Sequence, residues 1–328
     1  MKKDSVCIIG VYFGRLRPDF PLWINSCKYN PSIDFLVVTD SAIPDIEIPE
    51  NVTIKYCTFD ELRILAKKKL GEDIVIGNPY KLCDYKPVYG LIFYEYLKDY
   101  EYWGHCDFDL VFGDIRYFLS KYEYQKYDHF LTQGHLSLYR NTLSVLNYYK
   151  LKGSRVGNYT TVFTSNKNFA FDENSGIGSI YLFNKLSMFK KNIYADISPF
   201  YKQLKRSKFN KIDKPPKNYK NQVFFWEKGK TYCSYLKSGN ICTYQLIYIH
   251  FQKRKFPPLD LDKMDKCWAS FYITPFGFVP KINTLNIELI KSLNPYSLKN
   301  ELMVEIKWRF LWMLKRIKKY IFRKNELK

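Results

Sequence analysis

Three things are missing from this sequence: a cysteine pair spaced Cys-x-x-Cys, a window of about 18 uncharged apolar residues, and any helix-turn-helix, RNP or zinc-finger pattern. Each absence excludes a class. The eight cysteines, at 7, 27, 57, 83, 106, 233, 242 and 267, lie scattered, several inside apolar runs where cysteine behaves as a small hydrophobe. Neither a disulfide framework nor a structural zinc site is expected, and reduced thiols fit a cytosolic protein. A membrane-spanning helix is not expected either. The apolar stretch Val6-Cys7-Ile8-Ile9-Gly10 is too short for a secretory segment and lacks a small-residue cleavage site, so it reads as a first core strand. No internal repeat is visible.

Hydrophobic residues make up 46% and aromatics 18%, with 29 Tyr and 25 Phe, which excludes a disordered chain. At 328 residues, one large α/β domain with appendages is the favoured organisation. The formal charge of +20 calls for a polyanionic partner: nucleic acid, anionic lipid or a phosphate-bearing substrate. Lys and Arg concentrate at 202–220, 252–255 and 307–328, away from any nucleic-acid-reading motif, so no nucleic-acid partner is expected.

The first half alternates strand-like and helix-like segments. Val6–Gly10, Asp34–Thr39, Val52–Tyr56 and Tyr100–Cys106 read as strands; Asp19–Tyr29, a segment opened by Thr58 with Glu61 three residues on, and Val88–Leu97 read as helices. Such alternation predicts a mostly parallel sheet with helices on both faces, whose ligands gather at the carboxyl ends of the strands. Asp40 and the pair Asp107 and Asp109 fall at such ends. Lys202–Asn221, with Pro215-Pro216 and many lysines, reads as an exposed excursion. Gln222–Trp226 then reads as renewed order, Thr231 to His250 as a hairpin turning at Ser238-Gly239-Asn240, and 297–325 as a last helix.

Asp107-Phe108-Asp109 carries the chemistry. On an extended segment both carboxylates face one side, where two hard oxygen ligands can hold Mg²⁺ or Mn²⁺ while diphosphate oxygens take the ion's other positions. Asp-x-Asp alone is a weak signal, since a chain with this many aspartates holds about one by chance. Asp260-Leu261-Asp262 is a second instance and reads as a solvated turn. His250 ends an apolar strand and is followed by Lys253, Arg254 and Lys255, so a neutral imidazole could meet the metal where cations meet phosphate; a buried structural histidine is the alternative. His105 reads as a strand residue beside the site, and His135 as a hydrogen-bonding partner for a sugar hydroxyl. Asp172 and, after it, Glu173 are the candidate general bases for an acceptor hydroxyl, or else caps of the following helix.

The stretch from Pro79 to Gly90, the stretch from Tyr102 to Arg116 that contains Asp107 and Asp109, Gly134-His135-Leu136-Ser137-Leu138-Tyr139-Arg140-Asn141 and Tyr248 to Lys255 resemble DUF6625, a family of uncharacterised bacterial proteins found among polysaccharide and lipopolysaccharide glycosyltransferases. The order of parts is more distantly similar to glycosyltransferases of the GT-A type, in the glycogenin-like and mannosyl groups. That resemblance implies a single Rossmann-like GT-A domain over 1–295, with Asp107, Asp109 and His250 as metal ligands and Lys253 and Lys255 on the diphosphate. It also implies Asp84 near the donor sugar and Lys86 near the diphosphate or sugar, although a structural salt bridge explains that pair as well. Asp40 would face the base or ribose, or simply cap a turn. His135 and Asn141 of the Gly134–Asn141 motif are substrate candidates.

At 296–328, Leu302, Ile306, Phe310, Met313, Leu314, Ile317 and Ile321 form one apolar stripe among lysines and arginines. Such a helix can lie in an anionic membrane interface with Trp308 and Trp312 at headgroup depth, or pack on the domain with a solvated basic face. The expectation is therefore a cytoplasmic, metal-dependent glycosyltransferase, peripheral on the inner face of the membrane. It would move a sugar from a nucleoside-diphosphate donor, a UDP-sugar favoured, to a glycan or lipid-linked glycan. A catalytically silent sugar- or nucleotide-sugar-binding protein on the same fold is the main rival.

Overall fold

The computed structural model describes residues 2–207, 213, 217–257, 259 and 269–325. Asp260, Asp262, Pro215 and Pro216 lie outside the described residues. In chain order the strands are β1 (Lys2–Tyr12), β2 (Asp34–Thr39), β3 (Val52–Tyr56), β4 (Tyr100–Cys106), β5 (Leu110–Phe112), β6 (His129–Gln133), β7 (Leu136–Arg140), β8 (Met188–Phe189), β9 (Ala195–Asp196), β10 (Gln222–Glu227), β11 (Lys230–Lys237), β12 (Asn240–Leu246), β13 (Tyr248–His250), β14 (Ser270–Thr274) and β15 (Gly277–Pro280).

The largest sheet runs β3-β2-β1-β4-β7-β6-β8. Its first four strands are mutually parallel, β7 is antiparallel to both β4 and β6, and β8 returns parallel to β6. The protein is thus a mixed α/β structure around a mainly parallel sheet. Both faces are covered, as the unbroken apolar run of β1 requires. Val6 and Ile8 pack with Phe20, Trp23 and Cys27 of the helix Phe20–Lys28, while Cys7 and Ile9 pack with Leu62 and Ala66 of the helix Phe59–Leu70. Thr58 begins that second helix through a full capping box with Glu61.

The expected helix over Val88–Leu97 is different in form. A 3₁₀ stretch winds from Pro79 to Val88 and carries Asp84 and Lys86, followed by two short helical turns, Tyr89–Ile92 and Tyr94–Leu97. Pro87 has no N–H to give to an α-helical ladder, which accounts for the tighter winding.

A five-stranded antiparallel sheet, β12-β11-β10-β14-β15, follows the large one. Its hairpin between β11 and β12 turns at Ser238 and Gly239, both at positive φ (49° and 79°), the backbone of a two-residue loop that suits strand twist. Between the two sheets lies a three-stranded one, β5-β13-β9. Val111, Ala195 and Ile249 from it pack with Phe224, Trp226 and Phe271 of the antiparallel sheet.

Within the expected exposed excursion, Lys202, Lys217 and Lys220 are indeed exposed, but residues 203–206 are not. Gln203, Leu204, Lys205 and Arg206 are buried, with Gln203 and Leu204 bonded to Asn294. Lysine-rich composition misled at Lys205 and Arg206 because each has a partner, Glu301 for Lys205 and Asn192 for Arg206. The last helix runs Leu298–Asn325, and among the described residues no helix is long and apolar enough to cross a membrane.

Candidate functional site

The three-stranded sheet assembles the centre of the site. β5 starts directly after Asp109, and β13 lies antiparallel to it, so His250 falls opposite Leu110 and the Phe251 amide donates to the Asp109 carbonyl at 2.7 Å. On its other side β13 pairs in parallel with β9, which sets His250 beside Asp196. Residues side by side in adjacent strands present their side chains to the same face. That register gives His250 one carboxylate neighbour and the bend ahead of β5 gives it a second: Nδ1 is 2.8 Å from Asp196 Oδ1 and Nε2 is 3.1 Å from Asp109 Oδ1. Burial alone would depress the imidazolium, but these two carboxylates overcome it and hold its pKa up to about 10.

Asp107 and Asp109 do not sit on a continuous strand; they occupy the bend between β4 and β5. Phe108 anchors the bend, its ring 4.9 Å from Trp23 and 5.1 Å from Phe20. Gly10 is needed beneath it, since a Cβ there would lie 2.1 Å from Phe108. Asp107, Asp109 and His250 offer ligand atoms within 4.8 Å of one another. Two carboxylate oxygens and an imidazole suit Mn²⁺ or Mg²⁺, with room for oxygen ligands from a substrate. His135, Asp196 and His250 form a second, overlapping group.

Lys86 ties this centre to the candidate base. Its Nζ lies 2.6 Å from Asp107 Oδ1, 3.3 Å from Asp172 Oδ2 and 2.8 Å from the Gly134 carbonyl. Burial works against its charge, but Asp107 and Asp172 hold its pKa well above the ordinary value. Burial pushes Asp172 up to about 6 against the pull of Lys86, and burial together with Asp172 pushes Glu173 up to about 8. Both carboxylates crowd Gly134, where a Cβ would lie 2.4 Å from Asp172 Oδ2 and 2.7 Å from Glu173 Oε1. A bulge positions that glycine. The register of β6 against β7 shifts between Phe130 and Gln133, Leu131 takes φ 65°, and the Ser137 hydroxyl bonds the freed carbonyl of Leu131 at 3.2 Å.

His135 follows, stacked on His250 at 4.2 Å, with Nδ1 2.9 Å from the Tyr248 hydroxyl. Burial and the neighbouring His250 lower its pKa to about 3, so the ring is neutral.

All of this lines one cavity of about 780 Å³. Asp107, Asp109, His250, Lys86, Asp172, Glu173, His135 and Lys253 reach its wall. Four sequence-predicted residues do not. Asp84 is fully buried, its carboxylate 2.7 Å from Lys81 Nζ and accepting the amides of Phe169 and Phe171, so it pins a loop instead of meeting a donor sugar. Asn141 lies at the far end of β7, with its amide donating to the carbonyls of Leu97 and Tyr100. Asp40 is exposed and accepts the Gly14 amide at 2.8 Å, a loop tie outside the cavity wall. Lys255 is exposed beyond the wall, and Arg254 between the two lysines spends its guanidinium on the Ser198, Tyr201 and Gln203 carbonyls. His105 is enclosed beside Tyr89 and Tyr139 in the core.

Sequence reading missed Asp196, Arg17 and Arg206. Asp196 comes from a two-residue strand that no pattern flags. Arg17 lines the cavity while paired to Asp19 at 2.9 Å, and Arg206 lines it from the segment that reads as solvated. Only the apolar character of Ala195–Ile197 beside a lone acid hinted at the first.

The arrangement can hold a divalent ion among carboxylates and an imidazole, flank it with cations, and place two perturbed carboxylates within the same cavity. No curated protein matches the chain. The model of a family described as a family of unknown function, DUF6625, matches residues 8–282, and the chain belongs to that family.

Proposed function

We propose that this protein is a metal-dependent glycosyltransferase of the GT-A type, binding a nucleoside-diphosphate sugar, with a UDP-sugar favoured, and transferring the sugar to a hydroxyl of a bacterial surface glycan or its lipid-linked precursor. The observation that carries this reading is the convergence of Asp107, Asp109 and His250 within 4.8 Å at the wall of a cavity that also holds Asp172 and Glu173. Bound there, Mn²⁺ or Mg²⁺ would offset the negative charge that builds on the departing diphosphate.

The residues divide the remaining work. Arg17 and Lys253, on the cavity wall, bind diphosphate oxygens. Lys86 keeps Asp107 and Asp172 at fixed separation and offers its charge to the same region. Asp172, ionised at neutral pH and held by Lys86, accepts the proton of the attacking hydroxyl. Glu173, still protonated at neutral pH, donates a hydrogen bond to a sugar oxygen. Neutral His135 presents a ring nitrogen for the same purpose.

The test is calorimetric binding of Mn²⁺, then of a nucleotide-sugar panel with and without the ion, followed by hydrolysis and transfer assays. Donor binding that needs the ion and is lost in Asp107→Asn with Asp109→Asn supports the proposal. Turnover indifferent to chelator sinks it, and tight donor binding without turnover points to a silent sugar-nucleotide receptor.

A further inference from the structure

In the terminal helix Leu298–Asn325, the described side chains dock through a polar arc and leave an apolar arc bare. Inward-facing contacts come from Asn300, whose Oδ1 accepts the Lys202 amide at 2.7 Å, Glu301 on Lys205 at 2.6 Å, Glu305 on the Tyr201 hydroxyl at 2.9 Å, and Trp308 edge-on to Phe200 at 5.0 Å. Val304 is the buried apolar residue among them. Leu302, Met303, Ile306, Phe310, Met313 and Leu314 are 38–65% exposed. At about 100° per residue these six fall within an arc of about 120°, with Lys307 and Arg309 on its two borders.

We propose that this arc is a membrane-docking face that lies in the headgroup and upper acyl region of an anionic bilayer. Charge selects that occupant. Residues 298–328 hold ten Lys and Arg against three Glu, and two of those acids, Glu301 and Glu305, are turned inward onto Lys205 and Tyr201. Among the described residues of the helix the exposed charges, Lys299, Lys307 and Arg309, are all positive, which repels a second copy of a chain carrying +20 and draws anionic headgroups. Exposed apolar side chains bordered by cations match the layered chemistry of such an interface. Trp308 is turned inward onto Phe200 instead of lying at headgroup depth, and Phe200 also lines the cavity, so the helix that bears the docking face packs by its other side against the cavity wall. On the transferase reading this sets the site beside a membrane-held acceptor; the docking itself does not depend on that reading.

The experiment is flotation of the full chain with vesicles of phosphatidylethanolamine and phosphatidylglycerol, against phosphatidylcholine alone, with light scattering in parallel. Preferential flotation with anionic vesicles, weakened at least tenfold by Ile306→Asp with Phe310→Asp and reduced by high salt, is the expected result. Lys307→Glu with Arg309→Glu gives a second variant that leaves the apolar arc intact and should also lose anionic selectivity. Absence of flotation by the folded protein, or flotation unchanged in both variants, overturns the proposal. So does a stable dimer that Ile306→Asp with Phe310→Asp dissociates, since a second copy would then cover the face. None of these readouts requires donor or metal, so failure here is distinct from failure of the transferase assignment.

Discussion

Asp196 and His250 are held in register by the parallel pairing of β9 and β13, and the His250 Nδ1–H donates to Asp196 Oδ1 at 2.8 Å. Asp196 thereby fixes the ring so that Nε2 points to Asp109 and the metal candidates. A carboxylate behind a ligating imidazole sets its tautomer and raises its basicity. Asp196→Asn is expected to weaken Mn²⁺ binding by about 10–100-fold while the protein stays folded. Calorimetry or the loss of the free-Mn²⁺ spin-resonance signal measures this; an unchanged affinity would show that Asp196 does not act through His250.

Glu173 gives stability a pH dependence of known sign. Its folded pKa, pushed to about 8, exceeds the ordinary 4.5, so between those values the folded chain holds a proton that the unfolded chain has released. Its contribution to stability must then fall as pH rises through that window, the reverse of a salt-bridged carboxylate. Glu173→Gln should flatten the decline in melting temperature between pH 5 and 8 by a few degrees, on the order of 4 kcal/mol over that window. A variant whose melting profile parallels the parent's would contradict the burial of this proton.

Gly134→Ala separates site geometry from folding. The new methyl would meet the carboxylate ends of Asp172 and Glu173, which can turn aside more easily than backbone can. Stability should change by less than about 1.5 kcal/mol, while donor turnover falls at least tenfold on the scale of a misplaced catalytic group. Paired melting curves and rates decide it.

Asp84 predicts the opposite pattern. Asp84→Ala would strand the fully buried Lys81 ammonium and remove the acceptor of two amides, at a cost of about 3–5 kcal/mol. Denaturant melts should show that loss, and the double variant Lys81→Met with Asp84→Ala should recover part of it. A strong donor-affinity defect in a fully stable Asp84→Ala protein would restore the sugar-facing role the structure denies it.

Local order was plain in the sequence wherever a short-range rule sufficed. β2, β3 and β4 and the Thr58 capping box follow from apolar runs and from a hydroxyl and a carboxylate three residues apart. The large motifs likewise marked Asp107, Asp109 and His250 as neighbours in purpose. They could not separate Lys86, which reaches the cavity, from Asp84 two residues away, which turns into the core, because a 3₁₀ winding, not a strand or an α-helix, sets the direction of each. Asn141 closes the same motif as His135 yet lies at the opposite end of β7, a strand's length from the cavity.

From the chain alone came the strands of the parallel sheet, the Asp107 and Asp109 pair at the end of β4 and a terminal helix with one apolar arc, since all three depend on residues a few positions apart; the bend that carries the pair, read as an extended segment, did not. Only tertiary structure decided that Asp196 would stand behind His250, that Arg206 would be buried, and that the helix would dock by its acids and leave its hydrophobes outside. Those outcomes rest on strand register and on partners 12 to 96 residues away, such as Tyr194 for Arg206 and Lys205 for Glu301, and no local periodicity encodes them.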